Sequence, residues 1–203
     1  MNKVKILVKG YAKKFGKGWI ATCNTTLIQT EKHNIIVDPG INKKLLLENL
    51  KKENLKISDI DYVFLTHYHP DHVFLAALFD KAKVFDGDII YENDKETPYS
   101  GKLPDTDIEV ILTPGHAHEH ASLIVNTERG TIVIAADVFW WSDQEIQKTK
   151  SAEILISRKD PFTKDWQALK KSRKQVLKIA DWIIPGHGKM FKNPQKIYTA
   201  SKA

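Results

Sequence analysis

After the apolar run Tyr62-Val63-Phe64-Leu65 the chain reads Thr66-His67-Tyr68-His69-Pro70-Asp71-His72, and no other segment limits the possible folds as tightly. A strand that stops here hands over to an extended or turning backbone, on which alternate residues His67, His69 and Asp71 project to one side. His72 breaks the alternation. It stands at the start of a predicted helix whose first turn suits Pro70, so its imidazole should serve a neighbouring position. One loop can thus supply two adjacent cation sites. Imidazole and carboxylate suit Zn²⁺, with Fe or Mn as alternatives where carboxylates contribute. The blander reading, a polar helix-capping loop, leaves four ligand-type residues within six positions without a reason.

Three further pieces place a potential ligand where a strand ends: Thr113-Pro114-Gly115-His116, Ala136-Asp137, and Ile184-Pro185-Gly186-His187-Gly188. The glycines beside His116 and His187 allow a sharp turn and a close approach of each imidazole. Asp38, in Val37-Asp38-Pro39-Gly40, reads either as a turn starter or as a carboxylate partner for the far nitrogen of a liganding histidine. His118 and His120 are surplus to this set, with structural roles the commoner fate and proton donation the alternative. His33 falls in a hairpin turn, where exposure is expected.

In this order, from Asp38 to Gly188, the motifs resemble the series of the metallo-β-lactamase superfamily. The resemblance implies an αββα sandwich, two facing mixed sheets with helices outside. It also implies a ligand assignment: His67, His69 and His116 on a first ion, Asp71, His72 and His187 on a second, Asp137 bridging both, and Asp38 behind them. Two zinc ions and a bridging hydroxide attacking a carbonyl or phosphorus would follow, with Asp71 orienting the water or relaying its proton.

Local patterning agrees with a layered α/β fold. Val4–Val8, Thr25–Thr30, Ile35–Val37, Tyr62–Leu65, Val110–Leu112, Ser122–Asn126 and Thr131–Ala135 read as strands, and turn chemistry makes Thr25–Val37 and Ser122–Ala135 hairpins. Helices are predicted over Asn42–Asn54, Asp71–Phe79 and Thr163–Ala180, the last with Trp166, Leu169, Val176 and Leu177 inward and Lys170, Lys174 and Lys178 as an outer stripe. Tyr11–Trp19 reads as a flexible Gly-Lys loop at the rim of the pocket. No long linker interrupts residues 1–203, so one domain is expected.

Substrate is read from what surrounds the motifs. Only 49 residues separate Asp137 from His187, too few for the inserted domain of the β-CASP nucleases. Fewer than twenty residues follow Gly188, so the helical domain of glyoxalase II is not expected and glutathione thioesters lose weight. The segment Asp137-Val138-Phe139, followed by Asp165-Trp166-Gln167-Ala168-Leu169 and Pro185-Gly186-His187-Gly188, is similar to compact glyoxalase II-like members of the superfamily. That similarity implies hydrolysis of single-stranded RNA phosphodiesters with side activity on β-lactams. A thioesterase or lactonase is the alternative, and a mononuclear iron enzyme like the persulfide dioxygenases a further one. Phe139, Trp140 and Trp141 are candidate pocket walls or core. From Thr163 onward ten Lys or Arg face two Asp, which fits an anionic substrate or a solvated helix face. Cys23 stands alone, the N-terminus lacks a secretory pattern and no apolar run reaches membrane length, so a cytoplasmic protein acting on a small molecule or RNA is expected. A homodimer is the assembly allowed for.

Overall fold

The computed structural model describes residues 1–196. In chain order the elements are β1 (Lys3–Val8), β2 (Tyr11–Phe15), β3 (Gly18–Thr22), β4 (Thr25–Gln29), β5 (Asn34–Val37), α1 (Lys43–Lys52), β6 (Tyr62–Phe64), α2 (Pro70–Val73), β7 (Lys83–Phe85), β8 (Ile89–Glu92) and β9 (Lys95–Pro98). The second half contains β10 (Glu109–Leu112), β11 (Ala121–Thr127), β12 (Gly130–Ala136), α3 (Ala152–Ser157), α4 (Trp166–Ile179), β13 (Trp182–Pro185) and β14 (Phe191–Lys192). One sheet runs β1-β4-β5-β6-β7-β8-β9, the other β10-β11-β12-β13-β14, and β2-β3 form a separate hairpin. Both large sheets are mixed: β5, β6 and β7 pair in parallel, as do β12 and β13, and the remaining pairs are antiparallel.

Period-2 alternation sorts these strands into three apolar layers. Ile28, Ile35, Val37 and Phe64 from the first sheet meet Leu123, Val125, Ile132 and Ile134 from the second in a shared core. The intervening residues point the other way. Leu27, Ile36 and Val63 pack on Leu46 and Leu50 of α1, while Ile124, Val133 and Ile183 pack on Leu169, Val176 and Leu177 of α4. The central strands β4, β5, β6, β11, β12 and β13 therefore bury both faces, which gives the αββα sandwich.

Several expectations change. The helix predicted over Asp71–Phe79 is one α-turn, Pro70–Val73, followed by a 3₁₀ turn at Ala76–Leu78. Helix α4 starts later than Thr163, because the Asp165 side chain accepts hydrogen bonds from Gln167 and Ala168 N–H and caps it there. The expected loop Tyr11–Trp19 is largely the β2–β3 hairpin, in which Lys14 pairs with Trp19 and Ala12 with Ala21. His33 is half-buried, stacked on Tyr62 at 4.4 Å. The short, partly charged strands β7, β8 and β9 carried no periodic signal.

Candidate metal centre

Five strand ends converge at one edge of the sandwich: β5 delivers Asp38, β6 the histidine loop, β10 His116, β12 Asp137 and β13 His187. Backbone hydrogen bonds tie these loops together, from Ala121 N–H to the Thr66 carbonyl, Gly40 N–H to His72, Cys23 N–H to Asp71 and Gly186 N–H to Ala136. Close approach is built into the glycines. A Cβ on Gly186 would lie 1.7 Å from Asp137 Oδ1, and one on Gly115, which has φ 134°, would lie 2.2 Å from the Leu169 nitrogen. Asp38 at φ 51° and Ala136 at φ 40° hold left-handed backbone without being glycine, a cost that clusters at functional sites.

The structure brings His67, His69, His116 and Asp137 into one group and Asp71, His72 and His187 into a second, with donor atoms inside each group within 4.8 Å of one another. Asp137 faces both. Its Oδ2 lies 3.2 Å from His116 Nε2 and 3.8 Å from His67 Nε2, while Oδ1 lies 3.5 Å from His72 Nε2 and 3.9 Å from His187 Nε2. Asp71 Oδ2 is 3.2 Å from His187 Nε2.

The outward nitrogens are anchored. His72 Nδ1 is 2.8 Å from Asp38 Oδ2, and the same carboxylate accepts from the Thr66 N–H and hydroxyl at 2.8 and 2.7 Å. His116 Nδ1 is 2.6 Å from Asp160 Oδ2, and His187 Nδ1 donates to the Tyr11 carbonyl at 3.2 Å. The inward atoms are different. His67 Nε2, His72 Nε2 and Asp137 Oδ1 are buried without a hydrogen-bond partner, an arrangement that costs stability unless a cation satisfies all three. This donor set fits a divalent metal.

Electrostatics agree. Burial would raise the Asp137 carboxyl, yet the charges of His72 and His116 hold it well below the usual carboxylate range. Burial would lower His116, but Asp137 and Asp160 push it up to about 9, and Asp137 with Asp38 likewise raises His72. Burial and the neighbouring His72 lower His67. The field at the centre therefore favours positive charge, its carboxylates raising His72 and His116 against the effect of burial.

Not every expected site residue faces this centre. Phe139 is fully buried, packs edge-on against Phe191 and is not part of the lining of the cavity over the donor groups. Trp141 also packs on Phe191 and borders a cavity away from the metal groups. Trp140 alone of the three lines the cavity over them. The difference follows from the turn after Asp137, where Val138 and Phe139 N–H bond back to Ala135 and Ala136, folding Phe139 inward. His120 is buried behind His67 with Nδ1 2.9 Å from the Thr113 hydroxyl, while His118 is exposed.

Sequence reasoning missed Asp160, Ile41 and Phe162, whereas Trp19 lies at the end of the segment expected at the pocket rim and does line the cavity. The requirement for a carboxylate on the far nitrogen of His116 was a usable signal for Asp160, although nothing marked which acid would supply it. Asp160 also accepts from the Phe162 N–H at 2.9 Å. One carboxylate thereby fixes a metal-facing histidine and part of the cavity wall.

Comparisons with known proteins bear on the family and the fold. The metallo-beta-lactamase superfamily profile matches residues 19–109. Metallo-beta-lactamase domain-containing protein 1 of Xenopus laevis is 30% identical over 201 residues, covering 94% of this chain and 82% of that protein. A candidate metallo-hydrolase of Methanocaldococcus jannaschii is 33% identical over 161 residues, covering 75% of this chain and 70% of its own length. Among solved structures, a Thermotoga maritima protein assigned to the metallo-beta-lactamases superposes with a TM-score of 0.72 at 21% identity, covering 94% of this chain and 99% of its own.

Proposed function

The chain belongs to the metallo-β-lactamase superfamily, and from that membership and the paired donor groups we propose that it is a hydrolase dependent on two metal ions, zinc by ligand chemistry. The observation that carries this reading is Asp137, whose two oxygens face one donor group each while inward atoms of both groups lack partners. His67, His69 and His116 would hold one ion, Asp71, His72 and His187 the other, with Asp137 between them. Bound there, divalent ions supply Lewis acidity towards a water molecule and the bond it attacks.

The chain's own residues do the rest. Asp38, Asp160 and the Tyr11 carbonyl fix the imidazoles so that their inward nitrogens are presented without reorganisation. Burial would raise the Asp71 carboxyl, but the hydrogen bond from His187 and the charges of His72 and His187 hold it below the usual range. An ionised carboxylate at the floor of the cavity can orient the attacking water and take its proton. Residence in a reducing, cytoplasmic compartment belongs to the same proposal, supported by the single free thiol of Cys23, which is buried.

The RNA reading has the basic face of α4 behind it. A thioesterase or lactonase needs only the same water and a neutral cavity. His67→Ala and Asp137→Ala are expected to lose both metal and turnover, read as a metal-to-protein ratio beside hydrolysis of a thioester, a lactone, a β-lactam and an oligonucleotide. Hydrolysis retained by both variants would sink the assignment. One iron per chain with oxygen-dependent turnover would support a persulfide dioxygenase-like enzyme instead. Among the described residues no helix is long and apolar enough to cross a membrane.

A further inference from the structure

Above the two donor groups lies a cavity of about 400 Å³ whose floor is His69, Asp71, Asp137 and His187. Its walls have a different chemistry. Ala12 and Ala21 from the β2–β3 hairpin form one side with Trp19, and Ile41, Trp140 and Phe162 complete it. No Lys or Arg lines it among the described residues.

The three rings form a cluster. Trp19 lies 6.1 Å from Trp140 at 82° and 5.9 Å from Phe162 at 68°, while Trp140 and Phe162 are 5.6 Å apart. Trp140 is the buried base of the cluster, 6.2 Å from the His187 ring. Trp19 and Phe162 are each 41% exposed and form the rim. Aromatic surface left half open beside a polar floor gains by being covered with an apolar group.

Lys13, Lys14 and Lys17 of the hairpin and Lys159 and Lys164 are exposed but outside the lining, and three further cations are held by other groups. Arg158 donates from one nitrogen to both Glu145 carboxylate oxygens at 2.7 and 2.8 Å and lies over the Trp140 ring at 5.5 Å, Arg173 is fully buried against backbone carbonyls, and Lys170 sits over the Trp166 ring on α4. The phosphates flanking a scissile phosphodiester would find no cationic side chain in the lining of this cavity, although backbone neutralisation dominates polynucleotide affinity.

Resting on the hydrolase reading above, we propose that the site selects uncharged acyl substrates, esters or thioesters, whose aromatic or branched apolar acyl group seats against Trp19, Trp140 and Phe162. The scissile carbonyl then lies over Asp71 and His187. Water oxygen adds to the acyl carbon and the bond to the leaving oxygen or sulfur breaks. One water proton goes to the leaving group and the other, through Asp71, to solvent, leaving a carboxylate and an alcohol or thiol. Trp19 and Phe162 set the preference for the acyl group.

The test uses the metal-loaded full chain and N-acetylcysteamine thioesters carrying acetyl, butyryl, phenylacetyl or succinyl groups, beside a single-stranded RNA oligonucleotide. The kcat/KM is expected to rise at least about tenfold from acetyl to phenylacetyl, the scale of covering one aromatic group, and to fall below acetyl for anionic succinyl. Trp19→Ala and Phe162→Ala should each shrink the phenylacetyl-to-acetyl ratio, and Phe162→Leu should restore part of it. In the metal-free chain, saturation transfer by NMR from the pocket to phenylacetamide should weaken in Trp19→Ala. A flat acyl series, a preference for succinyl, or cleavage of the oligonucleotide alone overturns this inference and leaves the hydrolase reading standing. No turnover of either class by a chain shown to carry metal overturns the hydrolase reading itself.

Discussion

At the residue scale, the centre depends on atoms that have no alternative place to go. Gly186→Ala would drive a methyl group into Asp137, so the variant should lose most of its metal while the sheets still form. A metal-to-protein ratio near that of the wild type would show that Asp137 can move. Asp160→Asn removes the charge that orients His116 and is expected to weaken metal binding about 10- to 100-fold, as loss of such partners does. The raised His116 fixes the sign of two pH effects. Metal must displace its proton at pH 7, so apparent affinity should rise between pH 7 and about 9, and calorimetry in buffers of different ionisation enthalpy should detect the released proton. In the metal-free chain the same shift stabilises the fold fully below the ordinary value of 6.5, and that part is lost as pH rises through about 9. Asp160→Asn should move both profiles part of the way to lower pH, because Asp137, the larger cause of the shift, remains.

At the element scale, α4 does more than cover the second sheet. Its Arg173 is fully buried, donates to the Val138 carbonyl at 2.9 Å and to the Arg158 and Ile156 carbonyls, and lies over the Phe139 and Trp166 rings. It thus joins the turn after Asp137 to the segment leading to Asp160. Arg173→Met fills similar volume but leaves buried carbonyls without donors, so a loss of about 2 kcal/mol or more in urea unfolding is expected. Arg173→Lys should recover only part, because one ammonium cannot reach all three acceptors. The β2–β3 hairpin works at the same scale. It contributes little to either sheet core, yet carries Trp19 and the Tyr11 carbonyl to the centre.

At the scale of the whole molecule, the two sheets and their helices are closed around apolar cores, while the edge where strands end concentrates charge that burial penalises. Metal binding to the folded chain should offset that penalty. Removing metal with a chelator is expected to lower Tm, and readdition to restore it in proportion to RT ln(1 + [metal]/Kd), about 4 kcal/mol at a thousandfold excess over Kd. A melting temperature indifferent to chelation would mean the centre contributes nothing to the fold. The basic excess belongs to this scale too: Lys174 and Lys178 stand exposed on α4, away from the cavity, and the end of the tail from residue 197 lies outside the described residues.

The sequence by itself determined the parts whose signal is local. Strand ends followed by His or Asp and glycines beside them made Asp38 and the seven ligand-type residues legible, because a ligand at a strand end stays there in any packing of that strand. Local patterning gave a layered α/β fold, and only the family resemblance of the motif series singled out the sandwich. Which of the residues around the centre close on it was decided only by tertiary structure. Asp160 lies 44 residues from His116, and Trp19, Trp140 and Phe162 come from three unrelated segments. Neither periodicity nor spacing encodes such meetings, since they depend on how the hairpin, the turn after Asp137 and α4 close against each other. Phe139 and Trp140 make the point in adjacent positions: one turn of backbone sends the first into the core and the second to the cavity.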